Sequence, residues 1–314
     1  MPLLPPVMMT IFPVSKRSLP SFQSKLLGRV FKGYFIGFVG VLEILGWKTE
    51  CLFVIHSGDL TVEWRKGGGN RFMEIRIKEL TKIFKNRVAV DQLSLTIGQG
   101  EFFALLGENG AGKTTTIKML SCLMEPTSGD AIMLGDSIVE NPQAVKKKLN
   151  ISPQETAVAR NLSVQENLEF IARIYGSTKQ DAEQKAIRLM EMFGLVDRAK
   201  SKGRNLSGGM ERRLSIAMAM ISEPEIIFLD EPTVGLDVRA RLDLWQILLD
   251  LKGQITIILT THYLEEVEAL ADRIGIIHKG RLQALGTLEE LKHQTGQTKL
   301  QDVFLQLTAE GDNT

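Results

Sequence analysis

Cysteine is scarce: Cys51 and Cys122 are the two in 314 residues, and they lie far apart. Neither stands at a metal-ligand or redox spacing, which excludes a disulfide framework and points to free thiols in a reducing compartment. The four histidines, His56, His262, His278 and His293, are scattered and form no zinc pattern. An excess of one charge is also missing. Lys and Arg number 38 against 37 Asp and Glu, a net charge of +1, so no overall field directs the chain to nucleic acid. No internal repeat occurs, and no apolar run approaches the roughly 20 residues that span a bilayer. What remains is an apolar fraction of 44% and a charged fraction of 24%, ordinary values for a globular protein. The length suits one large domain or two ordinary ones.

Against this plain background one segment stands out. Gly107-Glu108-Asn109-Gly110-Ala111-Gly112-Lys113-Thr114 fits the phosphate-loop pattern G-x-x-x-x-G-K-[ST]. The apolar run Phe102 to Leu106 before it reads as a buried strand, and Thr115 to Leu120 after it reads as the first turns of a helix. The motif needs that context. Its glycines let successive backbone N–H groups converge on phosphate oxygens, and the helix N-terminus adds its positive end. Lys113 would reach the β- and γ-phosphates, and the Thr114 hydroxyl would hold Mg²⁺.

The surrounding pattern is α/β. Met73 to Leu80 and Val88 to Ile97 alternate as half-buried strands do, and Gly98-Gln99-Gly100 turns into the strand before the phosphate loop. Asp130 to Leu134 and Ile151 are short apolar stretches separated by a helix over Pro142 to Leu149. Residues 156–221 read as a helical insert. Ser163 and Glu166 make a capping box for a helix over Val164 to Tyr175; further helices cover Thr178 to Phe193 and Gly208 to Ile221. Strands then resume at Ile226 to Leu229 and Ile255 to Leu259, with helices at Val238 to Leu251 and Leu264 to Ala271. Ile274 to Ile277 and Leu282 to Leu285 flank Lys279-Gly280 as a hairpin. Such alternation implies a mostly parallel sheet with ligands at the carboxyl ends of its strands.

The strand Ile226 to Leu229 ends in two carboxylates, Asp230 and Glu231. Asp230 can hold Mg²⁺ through its water shell, and Glu231 can polarise the attacking water as general base. Asn205-Leu206-Ser207-Gly208-Gly209 opens a helix with a polar, Gly-rich turn that can serve as a second anion site or simply as a cap.

Together these segments resemble the nucleotide-binding subunit of an ATP-binding-cassette (ABC) transporter, over residues 73 to about 310. The resemblance rests on the phosphate loop, on Gln154 in Ser152-Pro153-Gln154-Glu155, on Leu206-Ser207-Gly208-Gly209, on Asp230-Glu231 with Gly235-Leu236-Asp237, and on His262 in Thr260-Thr261-His262, all in the family's order. It implies a P-loop NTPase core with flanking helices, an antiparallel β edge and an inserted helical subdomain at about 156–221. It implies ATP and Mg²⁺ as ligands. Gly107, Asn109, Gly110, Gly112, Lys113, Thr114 and Thr115 would surround the phosphates, and Phe84 would stack on adenine where the family usually has Tyr. Thr114, Gln154 and Asp230 would hold the metal, with Glu231, His262, Gln154 and Lys113 as the catalytic set. Ser207, Gly208, Gly209 and Asp237 would face the nucleotide of a second copy. One departure stands at Met210, where Gln is common. The form Ser-Gly-Gly-Met with Arg212 and Arg213, and the ending Leu300 to Thr308, are similar to the branch that exports drugs, sodium or lipo-oligosaccharides.

The resemblance further implies a homodimer or a paired ATPase beneath separate membrane permease subunits at the cytoplasmic face, with coupling helices received at about 154–175. A soluble ABC ATPase of translation or DNA repair is the competing reading. Translation-type members usually carry two cassettes and repair-type members long coiled coils, and neither is found in this sequence. A binding-only regulator is disfavoured by Lys113, Glu231 and His262. Nothing names the cargo, and no nucleic acid is expected.

Residues 1–72 differ from the rest. They hold five of the ten prolines, seven of the fourteen Phe and two of the three Trp, with nine Lys/Arg against four Asp/Glu. Gly33 to Leu42 after basic residues resembles a short secretory leader, but export would part the following domain from cytosolic ATP. A membrane-surface anchor is a further alternative with equally little support. Lys66-Gly67-Gly68-Gly69 before Met73 is what a purine-rich ribosome-binding site gives when translated. The segment is thus expected to be either an over-extended start preceding a working Met73 or an extension joined by a Gly-rich linker.

Overall fold

The computed structural model describes residues 74–310 and, before them, only the backbone course of strands between Ser24 and Glu63. The chain divides into two compact units, Met1–Arg71 and Phe72–Thr314. In the first, β1 (Ser24–Lys25), β2 (Arg29–Phe31), β3 (Tyr34–Ile44), β4 (Trp47–His56) and β5 (Asp59–Glu63) pair antiparallel. The stretch Lys66 to Met73, on which the reading of the start turns, lies outside the described residues.

The second unit is built on two sheets. Strands β6 (Ile75–Phe84), β7 (Arg87–Ile97), β9 (Ser128–Met133) and β10 (Asp136–Ser137) form an antiparallel sheet in the order β10-β9-β6-β7. Strands β8 (Phe102–Leu106), β11 (Leu149–Ser152), β12 (Ile226–Asp230), β13 (Thr256–Thr261), β14 (Arg273–His278) and β15 (Arg281–Gly286) form the second, in the order β11-β12-β13-β8-β14-β15. Every pairing in it is parallel except β14 with β15. Its central strands are continuous apolar runs because both faces are covered. Side chains alternate between the two layers with period two. Ile226 and Phe228 enter the core shared with the antiparallel sheet; Ile227 and Leu229 enter the core under the helices.

The helices are α1 (Lys113–Leu120), α2 (Pro142–Lys146), α3 (Val164–Ile174), α4 (Lys179–Met192), α5 (Gly208–Met220), α6 (Val238–Leu251), α7 (Leu264–Leu270), α8 (Leu288–Thr295) and α9 (Leu300–Glu310), and α3 to α7 form the layer over Ile227 and Leu229. The capping box forms as expected: Ser163 Oγ accepts from Glu166 N, and Glu166 accepts from Ser163 N at 2.7 Å. Thr178 caps α4. The turn Lys279-Gly280 has positive φ at both residues, 47° and 82°, the conformation that matches strand twist in a two-residue hairpin.

The structure adds the strand Asp136–Ser137 and the helix Leu300–Glu310 to the expected elements and departs from them at two further places. The helix from Pro142 stops at Lys146, and Leu149–Ser152 becomes an edge strand in register with Ile226–Leu229. Pairing with a central strand outweighs the local helical spacing. Leu288–Thr295 is a helix that sequence reading passed over, although Thr287 and Glu290 form its capping box. With α9 it buries Leu291, Leu300 and Val303 against Ala104 and Leu106.

Phe228 is fully buried in the central strand. Phe228→Ala should cost about 3–5 kcal/mol, read as a lower urea midpoint with unchanged slope; a cost below about 1 kcal/mol would contradict the packing described.

Candidate functional site

Parallel pairing brings the carboxyl ends of β8, β12 and β13 to one edge, and the segments leaving those ends build the site. Strand β8 leads into the phosphate loop. At Gly107 a Cβ would lie 2.4 Å from the Ile277 carbonyl oxygen, so the loop passes too close to β14 for any side chain. Gly112 has φ 109°, and a Cβ there would lie 2.5 Å from the Ala89 carbonyl. It stands at the N-cap of α1 with no side-chain acceptor, which leaves first-turn N–H groups for an anion.

Lys113 is only 4% exposed. Its Nζ donates to the carbonyls of Gly107 at 2.8 Å and Glu108 at 3.1 Å, and stands 3.2 Å from Glu231 Oε1. His262 Nδ1 lies 3.3 Å from the same oxygen. One carboxylate oxygen therefore has a lysine from the phosphate loop on one side and the histidine that follows β13 on the other. Glu231 reaches this place with φ 45°, in the left-handed region, at a cost of about 1–2 kcal/mol. Its N–H donates to the Thr260 carbonyl at 3.0 Å, which holds the turn.

Asp230 is the last residue of β12 and is buried. Its Oδ1 accepts from Thr114 Oγ1 at 3.2 Å and from Thr260 Oγ1, its registered neighbour on β13. A hydroxyl and a carboxylate thus converge, a hard-oxygen pair of the kind that suits a small divalent cation with phosphate and water as further ligands. Among the described residues no three His, Cys, Asp or Glu side chains cluster as an all-protein metal cage.

Above these groups opens a cavity of about 780 Å³. Phe84, Lys113, Thr114, Gln154, Glu231 and His262 line it, as do Asn109, Gly110, Gly112 and Thr115. Phe84 is 42% exposed at the rim, with Lys82 Nζ 5.4 Å from its ring centre. Ser207, Gly208, Gly209 and Asp237 do not line this cavity. They gather elsewhere: Ser207 caps α5 by accepting from Met210 N at 3.3 Å, and Asp237 caps α6 by accepting from Ala240 N at 2.9 Å. Gly209 is pressed against Ala240, where a Cβ would come within 2.7 Å of its Cβ.

Several participants escape sequence reading. Arg87, from the β6–β7 hairpin, lines the cavity and donates to the Gly110 carbonyl at 3.4 Å. No motif marks it; only strand pairing brings it there. Tyr263 also lines the cavity, with its ring 4.2 Å from that of His262, and adjacency to the histidine was its available signal. Arg212, in the sequence only part of the Ser-Gly-Gly-Met form, is buried and donates to the Asp230 carbonyl at 3.1 Å. Glu266, on α7 four residues after His262, is fully buried. Burial pushes its carboxyl pKa up, while Thr261, Thr233, Trp245 and the charge of Arg241 oppose the rise.

The family model described as ABC transporter matches residues 90–234. The linearmycin resistance ATP-binding protein LnrL of Bacillus subtilis (strain 168) is 40% identical over 240 residues, 76% of each chain. The doxorubicin resistance ATP-binding protein DrrA of Mycobacterium tuberculosis (strain ATCC 25618 / H37Rv) is 43% identical over 212 residues, 67% of this chain and 64% of that one. Human phospholipid-transporting ATPase ABCA3 is 42% identical over 226 residues; the match takes 71% of this chain and spans 13% of that much longer protein. Among solved structures, an ATP-binding subunit of an ABC transporter superposes with TM-score 0.67 at 30% identity, covering 74% of this chain and 99% of that chain. A dimeric ATP-binding cassette in a post-hydrolysis state, bound to ADP and Pi, gives 0.62 at 25% identity, covering 68% and 98%.

The raised pKa of Glu266 has a consequence for stability. A carboxyl whose folded pKa exceeds its unfolded one binds more protons when folded, so its contribution declines as pH rises above the ordinary value near 4.5. Glu266→Gln should remove this decline, making the variant gain on the unmodified protein from about pH 4.5 upward. Urea midpoints from pH 4 to 8 that stay parallel for the two proteins would contradict it.

Proposed function

The chain belongs to the ATP-binding-cassette (ABC) transporter family, and from that premise we propose that it binds ATP with Mg²⁺, hydrolyses it as a paired subunit, and powers export through separate membrane proteins. The observation that carries the catalytic part is the meeting of Lys113 and His262 on one Glu231 oxygen beside the Thr114–Asp230 pair. Phe84 would stack on the adenine at the cavity rim, since its exposed ring keeps the stacking face of the usual Tyr. The N–H groups around Asn109, Gly110, Gly112 and Thr115 would bind the phosphates.

Thr114, Asp230 and, by its place on the cavity wall, Gln154 would hold Mg²⁺. Bound there, the ion would neutralise charge on the β- and γ-phosphate oxygens. Lys113 would turn from Glu231 to the phosphate, which frees the carboxylate to accept a proton from the attacking water. His262 would steady the γ-phosphate. Closing the pocket over these groups excludes water and strengthens their electrostatics.

Ser207, Gly208, Gly209 and Asp237 lie outside the cavity of their own chain, which supports a two-chain site. In a twofold pair each chain would offer its Ser207 loop to the other's triphosphate, giving two composite sites. Hydrolysis would remove the γ-phosphate contact and let the pair open. Two comparisons favour this reading: the dimeric cassette structure, and relatives named for drug resistance or phospholipid transport. No helix among the described residues is long and apolar enough to cross a membrane, so the pathway itself is assigned to partner permeases at whose cytoplasmic face this subunit would work. Phe170, Ile174 and Tyr175 are exposed on and just after α3, within the region proposed to receive them.

Glu231→Gln should keep ATP binding and lower turnover by about 10²–10⁴-fold; phosphate release near the unmodified rate would reject Glu231 as the base. Ser207→Phe should leave a single chain able to bind ATP but unable to pair. Sizing of the Glu231→Gln protein with and without this second change tests that, and ATP-dependent pairing in both would sink the two-chain site.

A further inference from the structure

One turn into α5, the helix that opens with Ser207-Gly208-Gly209, Arg212 points inward and is 4% exposed. One terminal nitrogen of its guanidinium donates to the main-chain carbonyl of Pro153 and to that of Gln154 at 3.3 Å. The other donates to the main-chain carbonyl of Asp230 at 3.1 Å. A single rigid plane therefore touches the segment bearing Gln154, the strand end that carries Asp230 and Glu231, and its own helix behind the Ser207 loop. All the acceptors are backbone oxygens, so the contacts set main-chain position. Ser152 and Ser215, whose hydroxyls are 3.2 Å apart, tie the same α5 to the same end of β11. Burial lowers the guanidinium pKa to about 10, against the pull of Asp230 and Glu266, and the group stays charged at neutral pH. Filling space would ask only for an apolar side chain. The fork asks for a planar group with donors on two separate nitrogens, which Lys and Gln do not supply.

We propose that Arg212 is a positioning residue for hydrolysis, joining α5 of this chain to its own Gln154 wall and Asp230–Glu231 strand end. Movement of α5, whose first turn would meet the second copy's nucleotide, is then transmitted to the main chain that sets Glu231. The geometry is a property of one chain; the consequence for turnover rests on the ATP-hydrolysis reading above.

The test uses the full chain with Arg212→Gln and Arg212→Lys. ATP affinity is measured by equilibrium binding, kcat and KM by phosphate release, and amide hydrogen exchange is followed at 152–156 and 226–231. The expected result for Arg212→Gln is a Kd and KM within about threefold of the unmodified protein, a kcat at least tenfold lower, and faster exchange in those two segments. Arg212→Lys, which keeps the charge but loses the fork, should fall between. The inference is overturned by kcat within twofold in both variants. It is equally overturned if Kd, KM and kcat worsen together, or if neither variant folds, since either would show a packing role alone. An unmodified chain that binds no ATP would refute the nucleotide reading instead; hydrolysis by it that Arg212→Gln matches would refute only the role of Arg212.

Discussion

The parallel register of β8, β12 and β13 is the constraint on which the site depends. Leu229 lies opposite Leu259, and Leu259 opposite Ala104, so the three strands end at the same edge. A slip of one residue in β12 would exchange the two core layers along its length. It would also part Asp230 from Thr260 and turn Glu231 away from Lys113. The apolar runs that make the strands unreadable as half-exposed are what hold the register, because both faces are buried and neither tolerates the exchange.

On that frame the site assembles from residues close to strand ends, and the strain is local. Glu231 occupies a left-handed backbone conformation that an unbranched non-glycine residue enters only at some cost. The turn persists because its N–H is held by the Thr260 carbonyl and its carboxylate by a buried lysine. Opposite charges placed this close in a poorly hydrated pocket interact far more strongly than in water, and the phosphate of a nucleotide would compete for the same lysine. Glu231 is paired in this arrangement, and the role of general base proposed for it would need that pairing released.

Behind the cavity, buried polar groups join the elements that carry its walls. Arg212 on α5 meets the carbonyl of Asp230, while Glu266 on α7 lies near Thr233, Thr261 and Trp245. Charges this far from solvent cost desolvation energy unless paired or hydrogen-bonded. For Arg212 the value is positional, because its hydrogen bonds tie together segments distant in sequence. The Ser207 loop and Asp237 sit against each other through Gly209 and Ala240, away from the cavity their own chain lines, which is the placement the proposed two-chain site needs.

The phosphate loop, the acidic end of β12, the order of the motif segments and most helix starts were legible in the residues alone. These are local features: a glycine required by φ, a capping box at Ser163, an apolar run bounded by turn residues. The resemblance to the ABC transporter family rested on ordered segments, from the phosphate loop through Gln154, Leu206 to Gly209 and Asp230-Glu231 to His262. Tertiary structure alone decided what long-range pairing supplies. Leu149–Ser152 became a strand because β12 offered it an edge, and Arg87 reached the phosphate loop because a hairpin folded over it. Arg212 and Glu266 look like surface charges on their helices until their burial is seen, and for Arg212 its distant carbonyl partners. Residues far apart in the chain meet only when the sheet and its covering layers close, and a one-dimensional pattern carries no record of that meeting.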